Sequence, residues 1–210
     1  DYIDTSFPIT NPIFKGSIRN MLNTKDAVFH EPYVAVRLPF RVYEGDNNYF
    51  ESIHQPFSPY VHQQRAFERL TGEDGRSTLI ATGTGSGKTE CFLYPILEYC
   101  YKHRGEKGIK ALIIYPMNAL ASDQAKRIAE LVDGSPELKL AGIRVGMYVG
   151  GQEHSSAKMM LPDKVITDHE TLLAAPPDIL MTNYKMLDYL LVRPKDACLL
   201  YTSPSPRDCS

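Results

Sequence analysis

The sequence predicts an α/β fold in which a parallel sheet is covered by helices on both faces. Two observations support this prediction. From about residue 57 onward, short apolar runs alternate with helical patterns, which is typical of parallel sheets buried on both faces. A glycine-rich stretch from Thr82 to Thr89, TGTGSGKT, also lies between an apolar run and a helical pattern, where α/β proteins place a phosphate-binding loop.

The pattern along the chain predicts four strands and four helices. In the helix beginning at Asn118, apolar residues recur at helical spacing up to Leu131. The more polar stretch 151–177 predicts a loop with one or two short helices, and its Thr167-x-x-Glu170 pattern predicts a capping box. The predicted strands are 77–82, 109–115, 143–149 and 178–182, and the predicted helices are 61–70, 88–101, 118–132 and a last one ending at Leu191.

Three regions differ in texture. Residues 1–56 are irregular and carry five prolines, so we expect a lead-in that packs on the core, with one short strand at Val34–Leu38. Residues 57–197 form the main domain. Residues 198–208 read CLLYTSPSPRD, which resembles one reading frame of a transposase sequencing adapter. We therefore expect 198–210 to be an artefactual, disordered tail.

Composition limits the classes of partner. Hydrophobic residues make up 43% and charged residues 23%, ordinary values for a globular protein. With 23 basic and 25 acidic residues the net charge is −2, so any nucleic-acid site must be local. No apolar run is long enough to span a membrane, which predicts no membrane partner. The four cysteines lack metal-ligand spacing and predict reduced thiols in a cytoplasmic protein.

The glycine-rich loop has the chemistry of a phosphate site, although Thr82 stands where the strict pattern has glycine. Gly85 and Gly87 let the backbone turn so that N–H groups face phosphate oxygens. The following helix offers its positive end to the same anion. Lys88 would reach the β- and γ-phosphates, and the Thr89 hydroxyl would bind Mg²⁺ carried with ATP. Lys88 and Thr89 are the candidate catalytic residues.

The wording of the loop, TGTGSGKTE, closely resembles motif I of superfamily 2 helicases. Upstream, Pro59-Tyr-Val-His62-Gln63 resembles the glutamine motif with which that superfamily reads adenine. The donor and acceptor of a glutamine amide match adenine N7 and N6-H₂. We favour Gln63 over the adjacent Gln64 because it follows the Tyr-x-His pattern. The candidate nucleotide-binding residues are Tyr60, Gln63, Thr82, Gly83, Thr84, Gly85, Ser86, Gly87, Lys88, Thr89 and Glu90.

Three later segments resemble motifs Ia, Ib and Ic of the same superfamily, in the correct order. The first opens a helix at the end of a strand, where free N–H groups can bind a backbone phosphate. The second is a glycine pair, and the third is similar to the TN-x-x-ML motif of large bacterial DEAD/DEAH-type helicases. The candidate nucleic-acid contacts are Pro116, Met117, Asn118, Gly150, Gly151, Thr182 and Asn183.

Together these motifs make the chain similar to the N-terminal part of a large bacterial helicase of the Lhr and Hrq-like groups. The resemblance implies an incomplete RecA-like domain over 57–197, ATP and Mg²⁺ as cofactors, and a nucleic-acid partner, with DNA favoured over RNA. It also implies a second RecA-like domain elsewhere in the full-length chain. We reject Asp168-His169-Glu170 as motif II because it precedes motif Ic. The fragment is therefore expected to bind nucleotide without being catalytically competent.

Two other classes of function stay open on the sequence alone. One is a different phosphate-loop enzyme, either a nucleotide kinase or a translocating restriction subunit. Motifs Ia to Ic disfavour the kinase, which has no use for a nucleic-acid track, but they do not exclude the restriction subunit. The other is a non-catalytic nucleic-acid-binding module, against which Lys88 and Thr89 argue.

Overall fold

The computed structural model describes residues 11–24, 38–55, 57–72, 75–150, 156–193 and 199–200. The chain divides into two compact units, residues 1–39 and 40–210. In the first unit a 3₁₀ helix spans Pro12–Phe14 and helix α1 spans Ser17–Asn23. The Asn11 side chain caps the 3₁₀ helix by accepting a hydrogen bond from the Ile13 N–H. Residues 34–37 of the expected strand lie outside the described residues, and Leu38 is in no strand.

The second unit is built on a parallel sheet with the strand order β1–β3–β2. In register, Tyr115 pairs with Asn183, and Tyr148 pairs with Thr182. The carboxyl ends of the strands therefore meet at one edge of the sheet, the position at which open parallel sheets place their ligands. The strands are β1 (Ala111–Tyr115), β2 (Val145–Tyr148) and β3 (Ile179–Asn183).

Helices cover both faces of this sheet. Along the central strand β3 the side chains alternate between the faces. Ile179 and Met181 pack with apolar residues of α3, α4 and α5, whereas Leu180 packs with those of α6 and α7. This arrangement confirms the predicted fold class. The helices of this unit in the described residues are α2 (Val61–Thr71), α3 (Lys88–Lys102), α4 (Asn118–Gly134), α5 (Pro136–Leu140), α6 (His169–Ala174) and α7 (Tyr184–Val192).

The strand predicted at 77–82 is wrong. These residues form no strand, and Leu79 is 92% exposed. Among the described residues β1 pairs with β3 alone, so no neighbouring strand is available to this apolar segment. Apolar composition favours a strand, but only a partner's N–H and C=O groups make one.

The capping box predicted at Thr167 is also wrong. The cap of α6 is Asp168, whose carboxylate accepts hydrogen bonds from the Thr171 N–H (3.0 Å) and hydroxyl (2.6 Å). The Thr167 hydroxyl instead accepts from the Ala157 N–H at 2.8 Å. Asp and Thr are both good caps, and the contact with Ala157 takes Thr167 out of that role.

Both ends of the second unit contribute to its packing. Residues 40–55, assigned to the lead-in, pack against α2: the Phe50 ring lies 4.9 Å from the Phe67 ring, and Val42 bridges to Tyr60. Leu199, placed in the tail, is 1% exposed among the residues that pack with Leu180. Leu200 packs against the same residues. Tail residues 198 and 201–210 lie outside the described residues, and the origin of the tail stays a prediction.

Candidate functional site

The glycine-rich loop leads directly into helix α3. Gly87 precedes the helix with φ of 71°, and Gly85 has φ of 76°. Glycine adopts positive φ without strain. Gly87 is also close to helix α2, because a Cβ at this position would displace Nε2 of Gln63. The positive φ therefore favours glycine at position 87, and an added Cβ would also move the Gln63 amide.

Lys88 folds back over the loop. Its Nζ donates hydrogen bonds to the carbonyl oxygens of Thr82 (3.0 Å) and Gly83 (2.7 Å). The Thr82 hydroxyl lies 2.5 Å from the hydroxyl of buried Ser86, which joins the two ends of the turn. The loop thus holds a cation beside the N-terminus of α3, and both attract an anion.

Two side chains at the start of α2 hold the loop from outside. Gln63 Nε2 donates to the Gly87 carbonyl (3.1 Å), and Gln63 Oε1 accepts from the Tyr60 N–H (2.8 Å). His62 Nε2 lies 2.8 Å from the Ser86 carbonyl, the geometry of a donated N–H bond. His62 was not among the predicted site residues, although it lies inside the Tyr-x-His-Gln pattern that drew attention to Gln63.

A cleft of about 1000 Å³ opens between the loop and α2. The predicted residues Tyr60, Gln63 and Thr84 to Glu90 line it, whereas Gln64 is buried and does not. Thr82 and Gly83 contribute through the carbonyls that hold Lys88. The lining residues that are not among the predicted nucleotide-binding residues are Val42, Gln55, Phe57, Ser58, Pro59, Phe67, Tyr94 and Arg127.

An ion pair connects the first turn of α3 with helix α4. Arg127 donates to the carboxylate of Glu90, whose side chain is only 16% exposed.

Cys91, the residue after Glu90, is buried, and its thiol donates to the Gly87 carbonyl at 3.4 Å. Burial raises the pKa of the Cys91 thiol. This side of the loop therefore carries no thiolate at neutral pH.

The predicted nucleic-acid contacts gather at the carboxyl end of the sheet. Asn183 Nδ2 donates to Asn118 Oδ1 at 2.6 Å, and Asn118 Nδ2 donates to the Gly150 carbonyl at 3.3 Å. Pro116 and Met117, between β1 and α4, are exposed. These five residues come from the ends of all three strands, so an extended ligand could follow the edge.

The two remaining predicted contacts differ. Thr182 is 0% exposed, and its hydroxyl donates to the Tyr148 carbonyl at 2.7 Å. In this arrangement the buried Thr182 side chain joins β3 to β2. Its contact with a nucleic-acid strand stays a prediction. Gly151 lies outside the described residues.

A second crevice, of about 470 Å³, adjoins this edge at Gly150. His169, Lys185 and Arg193 line it, and the described lining contains no acidic side chain. The His169 ring stacks on Tyr148 with centroids 4.0 Å apart. The edge therefore has local positive charge, which the overall charge of −2 does not reveal.

The acidic stretch rejected as motif II has a structural role. Hydrogen bonds from the Thr171 side chain and backbone lower the pKa of the Asp168 carboxyl. Neither Asp168 nor Glu170 lines the cleft at the glycine-rich loop.

Within the described part of the chain no cluster of three or more His, Cys, Asp or Glu side chains could hold a metal ion. No described helix combines the length and the apolar character needed to cross a membrane.

Comparison with known proteins gives consistent similarities. The chain is 43% identical to the Druantia protein DruE of Escherichia coli (strain UMEA 4076-1) over 105 residues, which are 44% of this chain and 6% of that protein. It is 35% identical to the uncharacterized ATP-dependent helicase YprA of Bacillus subtilis (strain 168) over 74 residues, 35% of this chain and 9% of that protein.

A solved structure is also similar. It is the crystal structure of the DUF1998 helicase MrfA bound to DNA and AMPPNP, with a TM-score of 0.52 and 26% sequence identity. The similarity covers 72% of this chain and 19% of that chain. This chain thus spans less than a fifth of the length of each of these three proteins. The sequence pattern of the DEAD/DEAH box helicases matches residues 60–200, and the chain belongs to this family.

Proposed function

We propose that this chain is the ATP-binding part of an ATP-dependent helicase or translocase that acts on nucleic acid. One observation carries the proposal: a single cleft contains both the loop from Thr84 to Thr89 and the side-chain amide of Gln63. A phosphate site and a base-reading group in one cleft match the two ends of a nucleoside triphosphate.

The loop would bind the phosphates. Lys88, which bonds the carbonyl oxygens of Thr82 and Gly83, would exchange these acceptors for phosphate oxygens. Thr89, the second residue of α3, is the described side chain that would hold Mg²⁺ together with those phosphates. The metal would neutralise phosphate charge, while the residues of the loop orient the triphosphate.

The amide of Gln63 would select adenine. A glutamine amide has two N–H donors and two acceptor lone pairs. In the structure one donor bonds the Gly87 carbonyl and one lone pair accepts from the Tyr60 N–H. One donor and one acceptor remain, and adenine N7 and N6-H₂ present the complementary pair. Gln63 could thus read the base without releasing the phosphate loop.

The edge formed by Asn118, Gly150 and Asn183 would contact the nucleic-acid strand. Amide side chains and exposed backbone suit phosphate and sugar contacts, and Lys185 and Arg193 in the adjoining crevice supply positive charge. We favour DNA over RNA because the similar helicase MrfA was solved bound to DNA.

Hydrolysis would require more than this chain provides. In its described lining the cleft has a single carboxylate, Glu90, which already pairs with Arg127. No second acid is available there to orient water. We therefore propose that the fragment binds ATP without efficient turnover. Motor action would need a second RecA-like domain of the full-length protein, which closes on this one around ATP. We propose that the full-length protein acts in the cytoplasm.

The proposal is tested by measuring ATP binding to the 210-residue chain in Mg²⁺ buffer by calorimetry. Removing the charged donor with Lys88→Ala should raise the Kd for ATP by about 10- to 100-fold. Lys107→Ala, which removes an exposed lysine outside the cleft, should leave the Kd unchanged. Failure of the wild-type chain to bind ATP, or equal binding by the Lys88 variant, would overturn the assignment.

A further inference from the structure

Helix α3 contains a buried acid that the nucleotide chemistry above does not use. Glu98 is 2% exposed, yet its Oε2 accepts three hydrogen bonds from one distant segment. The donors are the Glu51 N–H (3.1 Å), the Ser52 N–H (3.0 Å) and the Ser52 hydroxyl (2.7 Å). A buried carboxylate is tolerated where such bonds replace its hydration.

The segment is held from a second direction as well. Ser52 is itself 0% exposed, and its carbonyl accepts from the Ser135 hydroxyl at 2.5 Å, at the junction of α4 and α5. The other oxygen of Glu98, Oε1, lies 3.5 Å from Lys102 Nζ. Residues 51 and 52 are in no helix or strand. Their position is therefore fixed by these hydrogen bonds to side chains and not by the backbone hydrogen bonds of a helix or sheet.

The anchored segment leads directly into the wall of the cleft. From Ser52 the chain continues to Gln55 and the stretch from Phe57 to Tyr60, all of which line the cleft. Just before the anchor, Phe50 packs its ring on Phe67 (4.9 Å) and on Tyr94 of α3 (5.9 Å). The wall is thus fastened to α3 beside Glu98 and to α2 beside Phe67.

Helix α3 also begins with Lys88 and Thr89. Glu98 lies ten residues after Lys88, about 15 Å along the helix axis. One helix, which contains Pro95, therefore carries the phosphate-binding residues at its first turn and the anchor of the opposite wall about three turns later. The distance between the wall and the phosphate loop is set through this helix.

We infer that Glu98 is a positioning residue that holds the base-side wall of the cleft, residues 51–55 and 57–60, at a fixed distance from the phosphate loop. Glu98 does not touch the nucleotide. The inference rests on the proposed ATP site, and it assigns Glu98 to the nucleoside end of the ligand and not to the triphosphate end. A ligand without a nucleoside should therefore be insensitive to Glu98.

Two ligands separate these effects: ATP, and inorganic tripolyphosphate, which has the phosphates alone. Both are titrated with Mg²⁺ into the 210-residue chain carrying Glu98→Gln, which keeps the shape but replaces the charged acceptor by a neutral amide. The matched control is Glu130→Gln on α4, whose exposed carboxylate pairs with Lys126 at 3.9 Å. Hydrogen exchange at the Ser52 amide reports whether the wall has detached.

With Glu98→Gln the Kd for ATP should rise about tenfold, the loss expected for a charge-assisted bond, while the Kd for tripolyphosphate changes less than twofold. Ser52 exchange should accelerate, and Glu130→Gln should change nothing. Unchanged ATP affinity, or equal weakening of both ligands, would overturn the inference. If wild type binds neither ligand, the proposed ATP site itself fails. Should Glu98→Gln not fold, Ser52→Ala removes one donor and must weaken ATP selectively, or the inference is wrong.

Discussion

The side-chain Nε2 of Gln63 donates a hydrogen bond to the carbonyl oxygen of Gly87, 3.1 Å away. This bond joins the first turn of α2 to the residue at which the phosphate loop becomes α3. Because the same amide lines the cleft, loop position and base recognition depend on one side chain.

Replacing Gln63 by Glu keeps the shape of the side chain and removes both N–H donors. The carboxylate would face the Gly87 carbonyl without a proton to share, and the donor–acceptor match to adenine would be lost. We expect the Kd for ATP to rise about tenfold and the preference for ATP over GTP to disappear, as measured by competition against a fluorescent nucleotide. An undiminished preference for ATP would show that Gln63 does not read the base.

Gly87→Ala should damage the site more than a comparable substitution elsewhere. At positive φ an added Cβ costs about 1 to 2 kcal/mol of stability, and at Gly87 it also displaces the flexible end of the Gln63 side chain, at little further cost in stability. Gly105→Ala is the matched control, because Gly105 has φ of 88° with no atom within 4 Å of the new Cβ. Both variants should lose similar stability in thermal unfolding, but only Gly87→Ala should weaken ATP binding. Equal ATP affinities for the two variants would contradict the contact.

The thiols of Cys91 and Cys100 should resist modification in the folded protein. Both are fully buried, and burial raises the pKa of Cys91 and raises that of Cys100 to about 12. At pH 8 the thiolate fraction of Cys100 is then only about one in ten thousand. In a Cys198→Ser, Cys209→Ser background, a thiol reagent should label no cysteine in native protein and two in denaturant. Rapid native labelling would contradict this burial.

The cap of α6 should weaken in acid. The pKa of Asp168 is lowered from its ordinary value of 3.8 by hydrogen bonds from Thr171. A lowered carboxyl pKa contributes stability above the unfolded-state pKa and loses it as the pH falls through the folded-state pKa. Asp168→Ala should therefore lower the Tm at pH 7, and the difference from wild type should shrink below pH 3.8. A difference that stays constant with pH would contradict the charged cap.

A substitution at the sheet edge should weaken nucleic-acid binding and leave ATP binding unchanged, unlike the substitutions at the cleft. Asn118→Ala removes the bonds to Gly150 and Asn183 and one exposed amide of the proposed strand contact. We expect the Kd for single-stranded DNA to rise about fivefold, measured by fluorescence anisotropy, with ATP affinity unchanged. Ser122→Ala, one turn along α4, is the control. If Asn118→Ala binds DNA like the control, the edge is not the contact.

Local sequence patterns predicted where the main helices of this fold begin. The helices beginning at Val61, Lys88 and Asn118 start where their sequences predict, because periodicity is a local property. The segment 77–82 shows the limit, since its apolar residues form no strand without a neighbour. Thr167 lost its expected capping role to Asp168 through a contact with Ala157, ten residues away.

The site divides in the same way. The glycine-rich loop and Gln63 could be identified because their residue types and spacing carry the chemistry. Glu98 could not, because its partners Glu51 and Ser52 lie 47 and 46 residues earlier in an irregular segment. Arg127 lines the cleft because α4 lies beside α3, where Arg127 pairs with Glu90. Interactions over such separations have no sequence pattern.

The most direct test of the central claim is the ATPase rate of the full-length protein, measured with and without single-stranded DNA. If the loop ending in Lys88 and Thr89 binds the ATP that drives movement on nucleic acid, DNA should stimulate hydrolysis in wild type, and Lys88→Ala should reduce the stimulated rate by about 100-fold or more. Stimulated turnover that persists undiminished in Lys88→Ala would contradict the account.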